Sequence, residues 1–161
     1  MQTTAARSQV VSPLAGDLSG FVRYLLSRCG GDYLQAIEDR GLSLSQIKAL
    51  HVLAEAAEDV SLKGLGDKLG LSMPAISRAV DGLVQRRLVT RTEDRLDRRI
   101  KRVRVTAAGR DVVDELVQLR LAEIEEFLTT LSTRERDRLR AALAPIMARE
   151  DVAAMRPRGE R

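Results

Sequence analysis

The sequence lacks tryptophan and has one cysteine, one histidine, two tyrosines and two phenylalanines in 161 residues. Each shortage excludes something. A lone cysteine, Cys29, cannot form an intrachain disulfide and reads as a small apolar side chain on a helix. No second cysteine is present to resolve a sulfenic acid. One histidine and one cysteine cannot supply the usual ligand set of a zinc site, so neither metal nor cofactor is expected. The glycines fall in helix–turn contexts and form no phosphate-cradling loop. No apolar run approaches the ~20 residues a bilayer crossing needs, and the first residues lack the continuous apolar segment of a signal peptide. A cytoplasmic protein with no membrane partner is expected. Carboxylates are plentiful but sit beside arginines, as in Glu135-Arg136-Asp137-Arg138, a solvated ion-pair face and not an acid–base pair. No enzyme is expected. With aromatics at 2%, Leu, Val, Ile and Ala must fill the interior, and an apolar fraction of 44% suffices for one domain with a helical annex.

What the chain has instead is positive charge in one place. From Arg86 to Arg104 nine basic residues (Arg86, Arg87, Arg91, Arg95, Arg98, Arg99, Lys101, Arg102 and Arg104) face only Glu93, Asp94 and Asp97. That window carries +6 in a chain whose total is +4, so the remainder is net acidic. The stretch that contains it, Ser61 to Thr106, reads as two short helices joined by a tight turn, then a two-stranded hairpin. Concentrated positive charge beside a helix-turn-helix is a nucleic-acid footprint.

In chain order, residues 1–16 read as a flexible arm. Residues 17–42 have helical apolar spacing, interrupted at Gly30-Gly31, where two glycines disfavour helix. Ser43 with Gln46 forms a capping box that opens a helix with Leu44, Ile47, Leu50 and Ala54 inward, ending near Glu58-Asp59. Val60 to Leu62 suits a short strand, with Ser61 also able to cap a helix after it. That helix is weakened by Gly64 and Gly66 and stopped by Gly70. Ser72 caps a further helix with Pro74 in its first turn and Ile76, Val80, Leu83 and Val84 inward. Leu88–Thr92 and Lys101–Val105 alternate as strands around a polar tip, Glu93 to Ile100. Thr106 caps a long helix, and Ser132 with Glu135 opens a last one with Leu139, Leu143, Ile146 and Met147 inward. Residues 150–161 should fray. The expected fold is mainly α with a small β-hairpin wing. It places a winged helix-turn-helix (43–106) between an N-terminal dimerisation helix (17–42) and C-terminal dimerisation helices (107–149). The apolar stripe of the last two helices exceeds what one chain needs, which points to a homodimer.

A helix entering the major groove of double-stranded DNA must present small or hydrogen-bonding side chains near its N-terminus. Ser72, Pro74, Ala75, Ser77 and Arg78 meet that need. The hairpin tip would place Arg98 or Arg99 in the minor groove. Asp97 would hold the Arg99 guanidinium in a fork geometry. Arg91, Arg102 and Arg104 would meet phosphates. His51, near the apolar face of its helix, would line an effector pocket with Tyr24 or Tyr33. Two other readings stay open: a basic hairpin that grips an acidic protein, and a sequence-indifferent DNA binder.

Three segments, LSLSQIKALHVL, LGDKLGLSMPAISRAVDGLVQRRLVTR and DRLDRRIKRVRVTAAG, in that order and spacing, resemble the MarR family of winged-helix transcriptional regulators over about residues 18–148. The run from Asp97 through Arg99, Val103, Val105 and Thr106 to Gly109 is the most specific part. The resemblance implies a homodimer held by the first and last two helices, a palindromic operator, usually repression, and a small-molecule effector, such as an aromatic acid, bound between the lobes. It casts Arg99 as the wing arginine, Asp97 as its carboxylate partner and Ser72 to Arg78 as the groove reader.

Overall fold

In the computed structural model, residues 12–28, 31–94 and 96–153 are described. The expectations for the arm up to residue 11, for Cys29, Gly30 and Arg95, and for residues 154–161 lie outside them. The elements are α1 (Pro13–Arg28), α2 (Gly31–Asp39), α3 (Leu44–Glu55), β1 (Val60–Ser61), α4 (Leu62–Leu69), α5 (Met73–Gln85), β2 (Val89–Glu93), β3 (Lys101–Val105), α6 (Ala107–Thr129), α7 (Thr133–Met147) and α8 (Glu150–Ala153).

Leu50, Leu65, Ile76, Leu83, Val103 and Leu116 are fully buried and come from α3, α4, α5, β3 and α6. The core therefore lies where the helix-turn-helix, the sheet and the start of α6 converge. β3 is the central strand of an antiparallel sheet ordered β1-β3-β2, with Val103 opposite both Val60 and Arg91, and Val105 opposite Val89. Alternation sends Val103 and Val105 into the core and leaves Arg104 exposed on the other face. The hairpin is closed at its base by the Thr106 N–H donating to the Leu88 carbonyl at 3.0 Å. Gly109 rests on that same carbonyl: a Cβ there would stand 2.1 Å from the Leu88 oxygen. The first turn of α6 can approach β2 only because that residue is glycine.

Local signals hold at most helix starts. The Ser43–Gln46 and Ser132–Glu135 capping boxes both form, and the Ser61 and Thr106 hydroxyls accept from the Gly64 and Gly109 N–H groups at 3.0 Å. Several expectations need correction. The first helix begins at Pro13 and not at 17, because the Ser12 hydroxyl accepts the Ala15 N–H at 3.2 Å and proline tolerates a first helical turn. The interruption expected within 17–42 is present, in contrast: α1 ends at Arg28 and α2 starts at Gly31, and Gly41 at φ +57° closes α2. α3 stops at Glu55, with Ala56 extended, short of Glu58-Asp59. Leu44 is 68% exposed and not inward. At 100° per residue it lies about 120° from the centre of the buried stripe of Gln46, Ile47, Leu50, Leu53 and Ala54. Gly66 does not loosen α4: it is buried, with its missing Cβ against the Leu71 carbonyl and Ile76, so it lets α4 and α5 pack closely. α7 buries none of its residues; Leu143 and Ile146 are exposed and not inward. α8 is helical where fraying was expected to begin.

Candidate nucleic-acid interface

α5 is held from behind by Ile76, Ala79, Val80 and Leu83, all buried. That packing leaves its N-terminal turn outward. Pro74 and Arg78 are exposed, and Ala75 and Ser77 are half-buried. Ser72 holds the N-cap position, its carbonyl accepting the Ile76 N–H at 2.9 Å, but its hydroxyl makes no capping bond. The hydroxyl is therefore available to an outside partner, as are the amide groups of the first turn. Two turns further along, Asp81 receives the Arg91 guanidinium at 2.6 Å, which ties β2 to α5.

The arginines of the basic run divide into two groups. Arg91 pairs with Asp81, Lys101 with Glu93 at 2.7 Å, Arg102 with Asp94 at 2.6 Å, and Arg104 with Asp59. Arg102 also donates to the Asp59 carbonyl at 3.2 Å. Arg86 donates to the carbonyls of Gly41 at 2.9 Å and Gly82 at 3.1 Å. These cations rivet the wing and α5 to their neighbours. Arg91, Arg102 and Arg104, expected to meet phosphates, are engaged by carboxylates. Among the described residues Arg78, Arg87, Arg98 and Arg99 have no such partner.

Asp97 does not hold the Arg99 guanidinium. Its Oδ1 accepts the Arg99 backbone N–H at 2.9 Å. At a spacing of two residues an aspartate readily closes such a local turn with its own backbone. The organiser of the tip is Asp94, to which sequence reasoning assigns no role. Its Oδ1 accepts the N–H groups of Leu96 at 2.8 Å and Asp97 at 3.2 Å, and its Oδ2 accepts Arg102. The Leu96 amide first, then Arg102 and the Asp97 amide, hold the Asp94 carboxyl below its ordinary range. An aspartate opening the polar tip, two residues before the amide it takes, is a visible signal of such a turn.

The three residues assigned to an effector pocket fall in two places. The Arg120 guanidinium lies 4.6 Å from the centre of the Tyr33 ring. His51 feels the charge of the same arginine: burial lowers its pKa, Glu55 opposes that, and Arg120 adds to it. Tyr24 instead stacks edge-on against Phe127 at 5.8 Å, and Phe21 lies 5.4 Å from the same ring. Arg120 and Phe127 are two turns apart on α6, about 10 Å. Between α2 and α6 runs an open groove of about 570 Å³ lined by Asp32, Asp39, Arg40, Glu115 and Leu119 among others; none of the three expected residues lines it. Glu123, between Arg120 and Phe127 on α6, has a buried Oε2 with no hydrogen-bond partner among the described residues. Among the described residues no cluster of His, Cys, Asp and Glu could hold a metal ion, and no helix is long and apolar enough to cross a membrane.

Comparison with known proteins places this geometry. The sequence profile of the MarR family matches residues 40–100. The HTH-type transcriptional regulator MhqR of Bacillus subtilis is 30% identical over 99 residues, which cover 62% of this chain and 68% of MhqR. The crystal structure of RV1404 from Mycobacterium tuberculosis superposes with a TM-score of 0.72 at 26% identity, covering 91% of this chain and 98% of that one. A mutant of MepR from S. aureus, bound to an oligodeoxyribonucleotide, gives 0.64 at 19% identity, covering 86% and 98%, and shares the fold. The chain belongs to the MarR family of winged-helix transcriptional regulators.

Proposed function

We propose that the protein is a cytoplasmic, homodimeric repressor that binds a palindromic operator in double-stranded DNA and is released by a small-molecule effector. It acts by binding and not by catalysis. The observation that carries this reading is the division of cations: Arg91, Arg102 and Arg104 on the wing strands are engaged in ion pairs, while among the described residues Arg98 and Arg99 at the tip and Arg78 on α5 have no carboxylate partner. With the Ser72 hydroxyl they supply donors for a polyanion at the outward end of a helix and the end of a hairpin. Ser72, Pro74, Ala75, Ser77 and Arg78 would read the major groove and Arg98 and Arg99 the minor groove.

Support for the homodimer is the apolar surface left on the terminal helices. Leu14, Leu18, Val22 and Leu26 on α1, and Leu143 and Ile146 on α7, are between 44% and 67% exposed. Pairing two copies there would set two reading helices on half-sites about 34 Å apart, one turn of DNA. Support for an effector is the set of polar groups where α2 and α3 meet α6: the Tyr33 ring under Arg120, His51 within reach of that charge, and the buried Glu123 oxygen with no partner among the described residues. A ligand seated there would change the spacing of the reading helices by its differential affinity for two arrangements. The test is a footprint of the purified protein on the DNA upstream of its own gene, with the mass of the complex measured alongside. Two protomers on an inverted repeat are expected. One protomer on DNA of any sequence would overturn the reading.

A further inference from the structure

Leu96 is 99% exposed at the very end of the wing. A single exposed leucine is ordinary on a protein surface, but the setting of this one is not. Its backbone is pinned: the Leu96 and Asp97 N–H groups both donate to Asp94 Oδ1, the Arg99 N–H donates to Asp97 Oδ1, and the Ile100 N–H donates to the Asp97 carbonyl at 2.9 Å. Asp94 is itself tied to Arg102 on β3. The turn thus engages the amides of Leu96, Asp97, Arg99 and Ile100 and fixes the backbone that carries the leucine, so little backbone ordering remains to be done on contact. Two and three residues away stand Arg98 and Arg99, the wing-tip cations with no carboxylate partner among the described residues. An apolar side chain framed by uncompensated guanidinium groups is complementary to one surface above others: a nucleic-acid groove, with phosphate rims and, between base steps, the apolar faces of the bases. Wedges of leucine, isoleucine, methionine or phenylalanine pressed between base steps from the minor groove unstack them and kink the duplex.

We propose that Leu96 is such a wedge and that the protein bends its DNA where each wing enters. The proposal rests on the DNA-binding reading above. It places the deformation at flexible pyrimidine–purine steps under the wing, so that sequence is read there without a hydrogen bond to any base.

The test uses the full-length protein and a duplex taken from its footprint, with 2-aminopurine at the steps under the wings and a donor–acceptor dye pair at the two ends. Wild-type protein should raise the 2-aminopurine emission and shorten the end-to-end distance. Leu96→Ala should remove both signals and weaken binding three- to tenfold, with melting temperature and salt dependence unchanged. Leu96→Met should keep both signals. If Leu96→Ala still unstacks and bends the duplex, or if the wild type binds and does neither, the wedge is wrong while the DNA-binding reading stands. If the wild type leaves every duplex unprotected at low salt, both are wrong.

Discussion

The Arg86 guanidinium bridges two carbonyls, Gly41 at the end of α2 and Gly82 one turn back on α5. It therefore faces the corner between α2 and α3 and ties the C-terminal half of the reading helix to it. Gly82 is close to the same contact, its missing Cβ pointing at Gln46 Nε2. Although Arg86 opens the basic run, it is a positioning residue. Arg86→Ala should cost about 1 kcal/mol in urea unfolding, the worth of an exposed charge-assisted hydrogen bond. It should leave the slope of log affinity against log salt unchanged. A shallower slope would mean that Arg86 meets phosphate.

Arg99 and Arg91 should behave differently although both are wing arginines. Arg99 has no carboxylate partner among the described residues, so Arg99→Ala should weaken operator binding by about 1–3 kcal/mol and reduce the salt slope by about 1. Arg91 is neutralised by Asp81. Arg91→Ala should change the slope much less, while loosening β2 from α5. Salt titrations of the two variants by fluorescence anisotropy separate these outcomes, and equal slopes would show that the pairs open on DNA.

Two glycine-to-alanine substitutions should move stability in opposite directions. Gly109→Ala drives a methyl group into the Leu88 backbone oxygen and the Val105 side chain. The loss should be about 3 kcal/mol, the upper part of the range for overpacking, because a backbone atom cannot step aside. Gly16, inside α1, has nothing within 4 Å of the added methyl. Gly16→Ala should stabilise by up to about 1 kcal/mol through helix propensity. Chemical denaturation measures both.

His51 should make stability fall on mild acidification. Burial lowers its folded pKa below 6.5. The unfolded chain then binds the proton more readily than the folded one. The stabilisation is complete above about 6.5 and is lost as pH falls through that value toward the lower folded pKa. Asp94, Glu135 and Asp151 are also lowered, but carboxylates titrate at lower pH, so their losses come in a separate, more acid window. Unfolding free energies between pH 8 and 5 should decline for the wild type and stay flatter for His51→Gln. A decline of equal size in both would place the titrating group elsewhere.

The order of elements is legible in the chain because caps and periodicity are local. Ser43 with Gln46, Ser132 with Glu135, Gly70 and Thr106 each announce a boundary within a span of four residues. The start of α1 is harder to read because Ser12-Pro13 is a loop signal that also opens helices. The site is half legible. The position of Ser72 to Arg78 follows from the cap and the apolar stripe behind it. The fate of each arginine does not, since Asp59 meets Arg104, and Gly41 meets Arg86, across 45 residues of chain. Asp97 misleads for a related reason: spacing alone does not say whether a carboxylate takes its neighbour's side chain or its backbone. The faces of α1 and α7 read as apolar from spacing, but only the packed chain shows that Leu14, Leu18, Val22 and Leu26 of α1 and Leu143 and Ile146 of α7 stay exposed while Phe21 and Tyr24 pack on Phe127.

The most direct test is an equilibrium titration of the wild-type protein against its footprinted inverted repeat and against a scrambled duplex of equal length, each at several salt concentrations. Two protomers per repeat, affinity that falls steeply with salt on both duplexes, and a preference for the repeat of at least about 10³ are expected. Equal affinity for the two duplexes, or no binding to either at low salt, would contradict the proposed function.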